Sequence, residues 1–102
     1  MSIKKQFLKS KDLYKVTWSI DKKTANGAEN ITLAGDFNDW SKSSDEFTKM
    51  KTGGFKITLE LPKEKVYQFR YLVDGTTWIN EEECDGYVVN EFNQQNCVLS
   101  LN

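Results

Sequence analysis

Period-two alternation constrains this chain more than any other feature: apolar and polar residues trade places one by one along several stretches, and almost nothing repeats at a helical period. Leu13–Ile20 sets Tyr14, Val16, Trp18 and Ile20 on one face, with Lys15, Thr17 and Ser19 on the other. Ile31–Phe37 turns Ile31, Leu33, Gly35 and Phe37 inward. Phe55–Leu61 is the cleanest case, with Phe55, Ile57, Leu59 and Leu61 in and Lys56, Thr58 and Glu60 out. Val66–Asp74 puts Tyr67, Phe69, Tyr71 and Val73 on the core face, and Asn96–Leu101 does the same for Cys97, Leu99 and Leu101. Pro62, the only proline, ends the Phe55 stretch because it has no N–H for a sheet ladder. Asp74-Gly75 is a hairpin turn signal, with Thr77–Ile79 as the returning strand. Asp21–Asn30 and Asn38–Asp45 are polar loops, the second containing Trp40. About seven short strands separated by turns every eight to twelve residues predict an all-β, immunoglobulin-like antiparallel sandwich.

A length of 102 residues fits one such domain, expected over 12–102. Residues 1–23 carry seven lysines against Asp12 and Asp21, and 1–11 is expected to be a flexible, solvated basic N-terminus. The formal net charge of −1 provides no field toward nucleic acid or membrane. Met1–Lys11 lacks the apolar region of a secretory signal, so a cytoplasmic location is expected. Cys84 and Cys97 then read as reduced thiols, with a disulfide between them as the lesser alternative.

Catalysis finds little to work with. Histidine is absent, which removes the commonest general base and transition-metal ligand. Asp36 and Asp39 resemble a glycosidase pair only superficially, because they flank Asn38 in a turn where carboxylates bond local backbone. Glu81-Glu82-Glu83 lacks the alternating ligand spacing of a calcium loop. The expectation is a non-enzyme without metal or cofactor.

A recognition surface is what the residues leave. Of the fourteen cationic residues thirteen are lysines, and the single arginine, Arg70, points outward between core-facing Phe69 and Tyr71. Trp40 lies in a polar loop, Trp78 follows a hairpin turn, and outward Asn96 opens the last strand. A sugar ring has an apolar C–H face rimmed by hydroxyls, so it suits a flat aromatic face flanked by forked donors and acceptors. The same two tryptophans could equally cap the ends of the core. Trp18 shares a face with Tyr14, Val16 and Ile20 and belongs to the core.

Leu33-Ala34-Gly35-Asp36-Phe37-Asn38-Asp39-Trp40, with Tyr67 to Gly75 and Trp78, resembles the family 48 carbohydrate-binding modules. These are early-set domains that precede isoamylase and glucan-branching enzymes, and they include the glycogen-binding domain of the AMP-activated protein kinase beta subunit. The resemblance runs from about Tyr14 to Leu101, and the chain is similar to free-standing bacterial isoamylase early-set domain proteins. It implies that Trp40 and Trp78 pack against glucose rings and that Arg70 and Asn96 bond hydroxyls, with Phe92 and Gln94 as further contacts. Arg70 stands for lysine, Phe92 for leucine and Gln94 for threonine of the kinase subunit. Thr76-Thr77 makes the segment before Trp78 one residue longer, which leaves its orientation open.

The function expected on this basis is non-catalytic binding of α-1,4-linked glucan such as glycogen, starch or maltooligosaccharide. The alternative is a protein-interaction or dimerisation module associated with a glucan-metabolising enzyme, without strong sugar binding.

Overall fold

The computed structural model describes residues 2–102. Nine strands follow one another as β1 (Ser2–Leu8), β2 (Leu13–Ile20), β3 (Ile31–Gly35), β4 (Thr48–Lys49), β5 (Phe55–Pro62), β6 (Val66–Val73), β7 (Thr77–Ile79), β8 (Gly86–Val89) and β9 (Gln95–Ser100). Two antiparallel sheets result, one ordered β1-β2-β5-β4 and the other β3-β6-β9-β8, with β7 also on β6. This is the sandwich that alternation predicts, and the strands read from it keep their predicted faces. Along β5 the pattern holds from buried Phe55 through exposed Lys56, Thr58 and Glu60 to buried Leu61.

Three strands were not legible. The expectation of a flexible 1–11 is corrected over Ser2–Leu8, which form β1 and pair along β2 from Ser2 opposite Ser19 to Leu8 opposite Leu13, while Met1 lies outside the described residues. The physical reason is one-sided demand: only Ile3 and Phe7 need cover, and Lys5 spans the edge to bond Asp85 at 2.6 Å and the Ser100 carbonyl at 3.0 Å. β8 is short and mostly exposed, and β4 has only two residues. The Asp21–Asn30 loop contains one helical turn (α1, Lys22–Ala25), capped by Asp21, whose carboxylate accepts from Thr24 N and Thr24 Oγ1.

One apolar cluster joins the inner faces of both sheets, with Trp18, Phe55, Phe69, Tyr71, Ile31, Leu33 and Leu99 essentially inaccessible. Trp18 is its centre, tilted on Phe37 at 5.7 Å and edge-on to Phe69 at 5.9 Å between ring centroids. β3 ends one turn earlier than alternation suggests: Asp36–Asn38 forms a short 3-10 turn, yet Phe37 still faces the core against Trp18 and Tyr67. Gly35 is where that turn leaves the sheet. A Cβ there would sit 2.6 Å from the Gln68 carbonyl oxygen, so only glycine lets β3 come this close to β6.

Beneath β7 and β8 lies a small polar inclusion. Glu81 is fully buried; its carboxylate accepts from Tyr71 Oη at 2.7 Å and from Glu83 N at 3.0 Å. Burial, reinforced by that carboxylate, holds the Tyr71 phenol well above its usual range. Cys84 and Cys97 are free thiols. Cys97 accepts from Glu81 N at 3.0 Å, and burial pushes its thiol up to about 12, helped by the neighbouring Cys84 thiol.

Candidate functional site

β6 is flanked by β3 along one edge, and along the other by β9 in its first half and β7 in its second. Its outward residues therefore sit at the middle of the five-stranded sheet. The hairpin turn after it has Asp74 and Gly75 both at positive φ, with Thr76 N donating to the Val73 carbonyl, the geometry that Asp-Gly favours. This turn sets the register that places Trp78 opposite Leu72 and Thr77 opposite Val73. Trp78 thus projects from the outer face beside Arg70, whose guanidinium carbon lies 5.7 Å from the indole centroid.

Arg70 is held on two further sides. Its Nε donates to Asn80 Oδ1 at 2.9 Å and its Nη1 to Gln94 Oε1 at 2.8 Å. Asn80 is fixed in turn by donating to the Gln95 carbonyl at 3.0 Å. No carboxylate forms an ion pair with Arg70 among the described residues.

Asn90 organises the loop between β8 and β9. Its side-chain oxygen accepts from Phe92 N at 2.9 Å and Gln94 N at 3.1 Å, and its backbone N–H donates to the Gln94 carbonyl. Its side-chain amide donates to Asn96 Oδ1 at 3.1 Å, while Asn96 Nδ2 donates to Gln68 Oε1 at 3.1 Å. Asn96 is consequently only 7% exposed, and both ends of its amide have protein partners. Phe92, by contrast, is 75% exposed at the tip of that loop.

Trp40 enters from the opposite side. Asp39 and Trp40 are both left-handed, with φ of 58° and 57°. A bulky residue in that region costs on the order of 1–3 kcal/mol, which the surrounding bonds must offset. Trp40 N donates to the Gly35 carbonyl at 2.9 Å, and Ser41 N to that of Asn38 at 3.2 Å. Asn38 anchors the turn through Gly35 N, the Leu33 carbonyl and Asp45 Oδ2. The Trp40 indole N–H donates to Asp36 Oδ1 at 2.9 Å, and Asp36 Oδ2 accepts from Gln68 N at 2.7 Å. Both oxygens of Asp36 are thereby committed to structure, but to a neighbouring indole and to a strand 32 residues away rather than to the local backbone expected of a turn carboxylate.

Trp40, Arg70, Trp78, Phe92, Gln94 and Asn96 all line one open concavity of about 480 Å³, together with Lys42, Asn90 and Glu91. Both tryptophans are half-buried and lie outside the core cluster. Asp74, Gly75, Thr76 and Thr77, which lead into Trp78, are exposed. Sequence reasoning missed Lys42, Asn90 and Glu91, and also Asn80 as the partner of Arg70. Asn80 immediately follows the strand returning from Asp74-Gly75 and could have been found by counting back across that turn. Asn90 gives no such signal, because its role exists only once the β8–β9 loop has closed.

In chemical terms the concavity combines two indole rings, an uncompensated guanidinium and several amides. No group of histidine, cysteine, aspartate and glutamate side chains suited to a metal ion occurs among the described residues. Among the described residues no helix is long and apolar enough to cross a membrane. No curated protein matches the chain significantly. A family described as the glycogen recognition site of AMP-activated protein kinase does match, over residues 15–102. That span takes in both tryptophan flanks, Arg70 and the whole β8–β9 loop, and the chain therefore belongs to this glycogen-recognition family.

Proposed function

We propose that the protein binds α-1,4-linked glucan, as glycogen, starch or maltooligosaccharide, in the concavity between Trp40 and Trp78, without catalysing its turnover and in the cytoplasm. The observation that carries this reading is the meeting of six side chains from three separate parts of the chain around one open concavity. Indole faces from both flanks take the apolar faces of glucose units. Arg70, preset by Asn80 and Gln94, offers its remaining N–H groups to hydroxyls at little further entropic cost. Gln94, Asn96 and Phe92 line the far wall. Family membership supports the same ligand class. Affinity is expected to be weak, because an open platform covers only a few sugar units.

A second reading is favoured by one specific observation. Tyr87, Val88, Val89 and Phe92 are exposed apolar residues along the β8 edge and its loop. Such an edge suits pairing with another protein, a glucan-metabolising enzyme or a second copy of the chain.

Affinity electrophoresis in glycogen-containing gels separates the two. Retardation of the wild type that disappears in Trp40→Ala and Trp78→Ala is expected. An unretarded wild-type protein that elutes as a dimer would overturn glucan binding in favour of the interaction module.

A further inference from the structure

We infer that Asp36 is a positioning residue for this site: its carboxylate ties the Trp40 ring to strand β6, which carries Arg70, and so fixes the spacing of platform and donor. The inference rests on the glucan-binding reading for its purpose, although the tie itself is independent of that reading.

The backbone of the Trp40 turn is closed by the Trp40 N to Gly35 O and Ser41 N to Asn38 O bonds. Those bonds hold the main chain and leave rotation of the side chain free. The indole has one polar handle, its N–H, and that handle donates to Asp36 Oδ1 at 2.9 Å. The other oxygen accepts at 2.7 Å from the backbone of Gln68, just beyond the last β3–β6 pair at Gly35 and Phe69. Gln68 also receives the Asn96 amide on its side chain. A single carboxylate therefore joins the movable ring of one flank to the rigid strand beneath the other. Asp36 is exposed and pairs with no lysine or arginine among the described residues, so it has no competing partner. An alanine in its place would free the ring and the Gln68 N–H together. Asparagine keeps the shape but offers an acceptor to only one of the two donors.

A purely structural Asp36 would affect stability and leave the ring alone, which gives a clear test. Full-length wild type, Asp36→Ala, Asp36→Asn, Trp40→Phe and the Asp36→Ala/Trp40→Phe double variant are titrated calorimetrically with maltoheptaose. The three tryptophan indole N–H signals are followed by 1H–15N NMR, with buried Trp18 reporting integrity of the fold. Asp36→Ala is expected to weaken binding about tenfold in the wild type and less than about threefold when Trp40 is already phenylalanine, the non-additivity of a coupled pair. The Trp40 indole signal should move and exchange faster with water while that of Trp18 stays. If Asp36→Ala disturbs the Trp18 signal, isosteric Asp36→Asn takes its place and should still shift the Trp40 signal. Equal losses in both backgrounds, or an unmoved Trp40 signal, would overturn the inference. Should the wild type bind no maltoheptaose, glucan binding alone fails, and the indole signal still decides whether Asp36 holds the ring.

Discussion

On the outer face of the four-stranded sheet, Ser2, Ser19 and Lys56 form one row across three strands, Lys4, Thr17 and Thr58 the next, and Gln6, Lys15 and Glu60 a third. On the outer face of the other sheet the corresponding rows contain Thr32, Leu72 and Trp78, then Ala34 and Arg70. The first face follows alternation literally, with polar side chains in water. The second does not: Leu72 is 2% exposed and Ala34 inaccessible although both point away from the core. Loops 36–47 and 90–94 rise beside this face and give it walls. An outward position in a strand thus means solvent only where nothing else in the chain returns over it. Where loops do return, the same position becomes the floor of a recognition site.

The sharpest way to break this comparison is to disturb the close approach of β3 to β6 beneath the walled face. Gly35→Ala forces a Cβ against a backbone carbonyl and should cost about 3 kcal/mol in urea denaturation, in the range of overpacked cores. Gly86→Ala, with open space around it, should stay within about 0.5 kcal/mol.

Next in size is the contrast between the faces themselves. Trp78→Ala should weaken maltoheptaose binding at least tenfold, about 1.4 kcal/mol. Thr58→Ala, on the flat face, should change it less than about twofold. Calorimetric titration of both variants decides, and equal losses would end the distinction.

A finer probe is Arg70→Lys, which keeps the charge but loses the fork that spans Asn80 and Gln94. A loss of about threefold in affinity, with an unchanged melting temperature, is expected from a donor that is present but no longer preset.

The smallest effect concerns the strap between the sheets. Burial acts to raise the Asp85 carboxyl, but the Lys5 ammonium and the Ser100 N–H outweigh it and hold the group below its usual value of 3.8. A depressed folded-state value contributes stability above the unfolded value, and that contribution is lost as pH falls through the folded one. Lys5→Gln should therefore cost under about 1 kcal/mol at pH 7, given the exposure of the pair, and less as Asp85 becomes protonated, when only the bond to the Ser100 carbonyl is at stake. Thermal melts at pH 7 and pH 2 check the difference.

The fold was largely legible, because β2, β5, β6 and β9 carry the alternating pattern within a residue or two of their ends and the Asp74-Gly75 turn announces β7. β1 and β8 were not, because they are edge strands whose residues are mostly exposed, so neither shows a buried face at period two. The six site residues named from the sequence depended unequally on pattern. Arg70 follows from its outward position in β6, whereas Phe92 and Gln94 came only from family resemblance, since no periodicity operates in their loop. The network formed by Asp36, Gln68, Asn80 and Asn90 was invisible for a different reason. Its hydrogen bonds join residues up to 32 positions apart, and polar side chains in turns give no advance sign of which backbone they will reach.

The family match begins at residue 15, inside β2, and so leaves β1 outside it. Without β1, the seven residues of β2 that it pairs with, Leu13–Ser19, would present an unpaired strand edge beside the core residue Trp18. Such an edge is a template for uncontrolled pairing between molecules. β1 occupies it and offers in exchange an edge bearing Lys4 and Lys5, which repels its own kind. A fragment trimmed to the matched boundary would then keep its sugar-facing loops and lose its solubility, so any truncation used to study the site should retain β1 from Ser2.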